Sequence, residues 1–250
     1  MVVTHPTGPT KCLHFRGPMQ PLTRCYVELL RQLTSDLSDG LARGRSGRLF
    51  EGMAKLYFHY STMNAGKSTV LLQASHNYIE RGMQTYLLTA QFDNRAGEGK
   101  IASRIGIGSA SDTFAPGEDL FAKVQTRLAA GPCQCIFIDE AQFLDPDQVW
   151  QLARAVDDLG VPIMAYGLRV DFMGVLFPGS AALLALSDEM REVRTICHCG
   201  KKATMVVRKD DQGNVLTGGD QVQIGGNETY ISLCRRHWRA AMGDSGTTAR

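Results

Sequence analysis

Three groups of residues in this 250-residue chain have the types and spacing that chemistry requires. The first is the run Ser61, Thr62, Met63, Asn64, Ala65, Gly66, Lys67 and Ser68. It fits the phosphate-binding pattern G-x-x-x-x-G-K-[ST], except that Ser61 stands where the first glycine is expected. Gly66 lets the backbone close around phosphate oxygens, and successive N–H groups at a helix start bind anionic oxygens. Lys67 reaches the β- and γ-phosphates, and the Ser68 hydroxyl ligates magnesium. A G-K-S triplet arises by chance, so its position between a strand and a helix gives it weight. The second group closes Cys135-Ile-Phe-Ile-Asp139-Glu140-Ala141-Gln142. An apolar strand ending in an acid places Asp139 to hold magnesium, through water, and assigns the Asp139–Gln142 stretch to the nucleotide. One step on, Glu140 can face the γ-phosphate and take a proton from whatever attacks it. If water attacks, the protein is an ATPase; if a substrate hydroxyl attacks, it is a kinase. The motif alone does not choose.

The third group is Cys197-His-Cys199 and Cys234-Arg-Arg-His237. Two close-spaced pairs provide three sulfurs and a nitrogen, a set suited to tetrahedral zinc with no open position, and therefore structural. His198 competes as a ligand, but a tight knuckle favours Cys197 and Cys199. The intervening segment carries Gly218-Gly219 and Gly225-Gly226, which read either as hairpin turns or as a glycine-rich lid anchored at its base by the metal. Cys133 and Cys135 share one strand face and read as small buried hydrophobes. Cys12 and Cys25 carry no spacing signal.

The elements that must position these groups alternate. Strand Leu56–Tyr60 leads through the phosphate loop to helix Lys67–Arg81, stopped by Gly82. Thr85–Thr89 and Cys135–Ile138 read as short buried strands. Gln148–Leu159 is a helix with Val149, Leu152 and Val156 on one face, and Val161–Tyr166 follows as a strand. Near-continuous apolar strands between helices indicate an α/β fold whose mainly parallel sheet is covered on both faces, with ligands at the strands' carboxyl ends. After about residue 193 the chain turns to short strands, glycines and cysteines.

Bulk properties narrow the partners. Residues 1–52 hold seven Lys/Arg and four Asp/Glu, so residues 53–250 carry a net charge of −1. A nearly neutral body lacks the basic excess of a dedicated nucleic-acid binder and points to a small-molecule partner. No apolar run approaches the ~20 residues that cross a bilayer, and the first thirty residues lack a secretory h-region. A cytoplasmic, non-membrane protein is expected, in which cysteines serve metals or packing. Prolines break the start of the chain, Tyr26–Leu37 has helical spacing, and Gly40–Gly47 reads as a linker. The expected organisation is a flexible extension over 1–52, an α/β domain over 53–192, a metal-binding module over 193–243 and a tail over 244–250. Translation starting at Met53 is a competing reading of the extension.

In combination, M-N-A-G-K-S-T (63–69), F-D-N-R (92–95), D-E-A-Q-F (139–143), Y-G-L-R-V-D-F (166–172), C-H-C-G-K-K-A (197–203) and I-G-G-N-E-T-Y (224–230) resemble one family. It is the thymidine kinases of the type found in bacteria and animal cytosol, and the bacterial branch in particular. The resemblance spans roughly residues 53–240 in the family's order. It implies a RecA-like P-loop fold with a small C-terminal zinc-binding lasso domain, and transfer of the γ-phosphoryl of Mg-ATP to the 5′-hydroxyl of thymidine. By motif position Glu140 becomes the general base, with Lys67, Ser68 and Asp139 managing phosphates and magnesium. Asp93 and Arg95 fall near the transfer centre. Met63, Phe143, Leu168, Phe172 and Phe177 match thymine-pocket positions, although apolar core is their ordinary reading. Tyr230 matches the loop that closes on the base. The resemblance places structural zinc on Cys197, Cys199, Cys234 and His237, and implies a homotetramer inhibited by dTTP. Ser61 also occurs in the bacterial branch; the extension has no counterpart. Two other classes stand beside this one: a P-loop ATPase or nucleic-acid-dependent motor, since D-E-A-Q also ends such strands in helicases, and a zinc-ribbon binding module with a vestigial loop.

Overall fold

Between residues 56 and 186 strands are interleaved with helices, and from residue 189 short strands predominate. The computed structural model describes residues 54–92, 97, 99–222 and 229–243. The expected helix Tyr26–Leu37, the Gly40–Gly47 linker, residues 1–52 as a whole, Gly225-Gly226 and the 244–250 tail lie outside these residues.

Strand β1 (Leu56–Ser61) runs into the phosphate loop and helix α1 (Lys67–Glu80). The helix ends in a Schellman arrangement: Gly82, at φ 75°, donates to the carbonyl of Ile79, and Met83 to that of Tyr78. Strand β2 (Thr85–Ala90), a β3–β4 hairpin (Lys100–Ala102 and Gly108–Ala110) and the three-residue strand β5 (Asp112–Phe114) follow. Next come α2 (Leu120–Ala129), β6 (Cys135–Ile138) and a single 3₁₀ turn (Ala141–Phe143). Helix α3 (Pro146–Leu159), β7 (Ile163–Leu168), α4 (Pro178–Leu186) and β8 (Glu189–Glu192) complete the first half. Helix α3 starts two residues before the expected Gln148. Asp145 caps it in a reciprocal box with Gln148, and Pro146 occupies a first-turn position where a missing N–H costs nothing. Strand β7 begins after Pro162, which cannot donate to the ladder.

The six long-range strands form one sheet in the order β5-β2-β6-β7-β1-β8, with every pairing parallel. All carboxyl ends therefore lie along one edge. On one face Phe58, Leu88, Ile136, Ile138 and Ala165 pack against α2, α3 and α4; on the other, Leu87, Phe137 and Tyr166 pack against Leu71 and Leu72 of α1. Such residues stabilise the layers by roughly 1.5–3 kcal/mol per fully buried large side chain. β7 sits between β1 and β6, which brings the end of the phosphate-loop strand and the end of the acidic strand to either side of Leu168.

The C-terminal module has its own small core. Strands β9 (Thr195–Ile196) and β10 (Lys202–Ala203) pair as a knuckle. β11 (Met205–Lys209) is flanked by β12 (Val215–Leu216) and β13 (Tyr230–Leu233), all antiparallel, and α5 (Arg235–Met242) closes the module. Val207, Leu233, Trp238 and Met242 pack together around Cys197 and Cys234. This is the α/β sheet with a small cysteine-bearing module that the sequence predicts. Among the described residues, no helix is long and apolar enough to cross a membrane.

Candidate active site and metal cluster

The phosphate loop leaves β1 at Ser61 and enters α1 at Lys67. Two residues make its turn in left-handed backbone: Asn64 at φ 62° and Gly66 at φ 81°, the latter being the helix N-cap. Ser61 needs no such freedom. It is still in strand register with Leu168, and its hydroxyl donates to the carbonyl of Thr62 at 2.7 Å. The ammonium of Lys67, a buried side chain, donates to the same carbonyl at 3.2 Å. Lys67 thus lies folded back over the Ser61–Ser68 loop.

Strand β6 delivers the acidic pair. Asp139 is buried and its N–H donates to Leu88, keeping it in the sheet's pattern. Ser68, the second residue of the loop's helix, lies close enough to favour the ionised form of its carboxylate. Burial, and then the neighbouring Glu140 charge, push the Asp139 carboxyl up to about 7, against the opposing pull of Ser68 and Lys67. A cation placed between Ser68 and Asp139 reverses that penalty by favouring the ionised form. Glu140 then breaks from the strand in a left-handed conformation at φ 53°, its N–H donating to Asp139 Oδ1 at 3.0 Å. Such a backbone costs on the order of 1–3 kcal/mol and persists only where surroundings impose it.

The surroundings are specific. Gln142 Nε2 donates to Glu140 Oε2 at 2.6 Å, while Gln142 Oε1 accepts from the N–H of Leu168 at 2.9 Å. One buried amide thus ties the acid to the end of β7. Gly167 makes the approach possible: a Cβ there would stand 2.9 Å from the Gln142 nitrogen and 3.1 Å from its Oε1. Gly179 seats α4 against the same turn, where a Cβ would meet the carbonyl oxygens of Leu144, Gln142 and Ala141. Ser180 holds the other side, donating to Leu168 O at 2.6 Å. The sequence assigns Gln142 to the nucleotide but says nothing of this clamp, nor of Gly167, Gly179 and Ser180. Their partners lie across the fold, so no local pattern marks them.

The apolar candidates separate into two groups. Met63, Phe172 and Tyr230 meet around Val206, with the Arg208 guanidinium 4.0 Å above the Phe172 ring and Trp238 Nε1 donating to Phe172 O. Phe143 stacks edge-on with Phe177 at 5.9 Å and with Phe92 at 4.5 Å. Leu168 is buried between β1 and β6 ends. Asp93 and Arg95 lie outside the described residues. A contact absent from the sequence reading joins module to loop: Ser232 Oγ hydrogen-bonds Met63 O and Thr62 Oγ1, and Asn64 Nδ2 donates to Tyr230 O.

Cys197, Cys199, Cys234 and His237 converge so that their donor atoms all lie within 4.8 Å of one another. Cys199 and Cys234 sulfurs are 3.9 Å apart, and His237 Nδ1 lies 3.3 Å from Cys197 Sγ and 3.6 Å from Cys234 Sγ. With metal–sulfur bonds of about 2.3 Å, a tetrahedron has edges of about 3.8 Å, so the donor set fits a tetrahedral ion. His198 is not one of the four; its ring stacks on His237 at 4.3 Å. Burial opposes ionisation of Cys197, but N–H groups of Cys199 and Cys234 and the His237 ring hold its thiol down at about 5. A thiolate is the form a metal takes. Cys135 is buried and Cys133 half-buried; burial pushes both thiols up, Cys135 to about 12, as inert packing cysteines require.

The sequence pattern defining the thymidine kinases matches residues 54–238. A thymidine kinase of Ruegeria pomeroyi is 74% identical over 194 residues, covering 78% of this chain and 98% of that protein. Another from Jannaschia sp. is 72% identical over 192 residues, covering 77% and 98%. One from Agrobacterium fabrum is 61% identical over 186 residues, covering 74% and 96%. The match thus takes in both the phosphate-loop sheet and the cysteine cluster, and on that breadth the chain belongs to the thymidine kinase family.

Proposed function

We propose that this chain transfers the γ-phosphoryl of Mg-ATP to the 5′-hydroxyl of thymidine, giving dTMP for DNA precursor salvage. The observation that carries this is Glu140, held by Gln142 beside the Ser68–Asp139 pair at the mouth of the phosphate loop. As the thymidine O5′–phosphorus bond forms and the β–γ bridging bond breaks, Glu140 takes the hydroxyl proton. ADP leaves with the bridging oxygen. Lys67 swings from Thr62 O to the transferring phosphate, and the loop N–H groups from Ala65 to Ser68 neutralise its oxygens. Ser68 directly, and Asp139 through water, would hold magnesium, which supplies charge neutralisation between the β- and γ-phosphates. Met63, Phe143, Leu168, Phe172, Phe177 and Tyr230 form the thymine pocket, with Asp93 and Arg95 near the transferring group. Cys197, Cys199, Cys234 and His237 would hold a structural zinc, since three sulfurs and one nitrogen leave no open position. The reading extends to a cytoplasmic homotetramer inhibited by dTTP, divided into a kinase domain over 53–192 and a zinc module over 193–243.

The test is ATP consumption against a panel of deoxynucleosides. Turnover should require thymidine; ATP hydrolysis at equal rate without it would return the protein to the ATPase class. Glu140→Gln should keep ATP affinity while turnover falls roughly 10²–10⁴-fold, the usual scale of general-base catalysis.

A further inference from the structure

The phosphate loop is not held by its own sheet alone. Ser232, in the middle of β13, donates its hydroxyl to Met63 O at 2.5 Å and accepts from Thr62 Oγ1 at 2.7 Å. Each hydroxyl has one hydrogen: that of Ser232 goes to Met63 O, and that of Thr62 is shared between Ser232 Oγ at 2.7 Å and Met63 O at 3.1 Å. A second link lies beside it: Asn64 Nδ2 donates to Tyr230 O at 3.3 Å, so three successive loop residues are tied to one strand. The far side of that strand is fixed by the cysteine cluster. β13 ends at Leu233, and the next residue, Cys234, is a member of the cluster. Its antiparallel partner β11 places Val206 opposite Ser232 and Met205 opposite Leu233, so β13 has a rigid backing. Thr62 is the hinge of the connection. Its hydroxyl meets Ser232, and its carbonyl receives both Ser61 Oγ and Lys67 Nζ.

We propose that Ser232 is a positioning residue through which the Cys₃His module sets the shape of the phosphate loop, making metal occupancy and nucleotide affinity thermodynamically linked. The linkage rests on the reading of Ser61–Ser68 as the nucleotide site. Ser232 is neither one of the four cluster residues nor part of the Ser61–Ser68 loop. It fixes Thr62 and Met63, and hence the carbonyl that holds Lys67 before the phosphates arrive. Losing the metal frees Cys234, loosens β13 two residues upstream and lets the loop relax. Linkage is reciprocal, so bound nucleotide must equally slow metal loss.

The experiment uses the full chain in its metal-loaded form, comparing wild type, Ser232→Ala and Ser232→Thr. Three quantities are read: zinc content by mass spectrometry, dissociation constant for a non-hydrolysable Mg-ATP analogue by calorimetry, and rate of zinc release to a chelator with and without that analogue. Ser232→Ala should retain one zinc per chain and weaken nucleotide binding about 2- to 10-fold, the size of one exchanged hydrogen bond. In wild type the analogue should slow zinc release; in Ser232→Ala that protection should shrink, and Ser232→Thr, which keeps the hydroxyl, should restore it. Unchanged affinity together with unchanged protection in Ser232→Ala would overturn the linkage. A wild-type protein that binds no nucleotide would overturn the phosphate-loop reading itself, an outcome visible in the same titration.

Discussion

Replacing Gln142 with alanine should damage stability and turnover together, in amounts set by the two hydrogen bonds of one side chain. Gln142 is 2% exposed, and its loss leaves the Leu168 N–H without its acceptor inside the sheet's edge. An unsatisfied buried donor costs about 1–3 kcal/mol. For a domain of this size, at about 2–4 °C per kcal/mol, the melting temperature should fall by roughly 2–12 °C. The second bond, 2.6 Å to Glu140 Oε2, is to a charged group and contributes about 1.5–3 kcal/mol. If it orients the proton acceptor in the transition state, kcat should fall about 10- to 150-fold while the KM values for ATP and thymidine hold within a few-fold. Gln142→Glu separates the two effects. It keeps an acceptor for Leu168 but sets a second carboxylate against Glu140, so one of the pair must take up a proton near neutral pH. The acid limb of the kcat–pH profile should therefore move to higher pH, with less loss of melting temperature than in the alanine variant. Thermal melts and pH–rate profiles of both variants check this. A Gln142→Ala enzyme with wild-type kcat, or a Gln142→Glu enzyme with an unmoved profile, would refute the clamp.

Gly179→Ala should cost about 1–3 kcal/mol in denaturant unfolding, because its Cβ meets three carbonyl oxygens of the Ala141–Leu144 turn; unchanged stability would mean that α4 can shift freely. Because burial holds the Asp139 carboxyl up to about 7, its proton is present at pH 6 and gone at pH 9. Mg-nucleotide binding should thus release a proton at pH 6 and nearly none at pH 9, measurable by calorimetry in buffers of different ionisation enthalpy. Cys234→Ala should abolish stoichiometric metal and lower stability, since structural zinc supplies roughly 10–16 kcal/mol of binding free energy to the folding of small modules; full zinc content by mass spectrometry would remove Cys234 from the ligand set.

The strand–loop–helix over 56–82 was legible because its signals are local: an apolar run, G-K-S, then Gly82 where a helix must stop. The cysteine cluster was legible for the same reason, since each half-site is set by spacing within four residues. Strand β5 is only three residues long and β8 reads Glu-Met-Arg-Glu, so neither shows an apolar run. Their place is at the two edges of the sheet, where short length and charge guard against further pairing. Helix α4 is apolar nearly all round, with no one-faced period to mark it. The Gln142 clamp and the Ser232 link depend on partners 26 and about 170 residues away. Residue types marked the candidate site, but the groups that hold it in place are defined only by the folded path.

The strand order has a consequence for how the protein is made. β1 leaves the ribosome among the earliest of the sheet's strands, yet both its hydrogen-bonding neighbours, β7 and β8, are among the last. At usual synthesis rates the interval between residue 61 and residue 163 lasts roughly 5–20 s. Throughout it, an apolar strand ending in the phosphate loop has two open edges. Nascent chains should therefore be held by chaperones until residue 192 emerges, and fragments ending before Leu168 should aggregate rather than bind nucleotide.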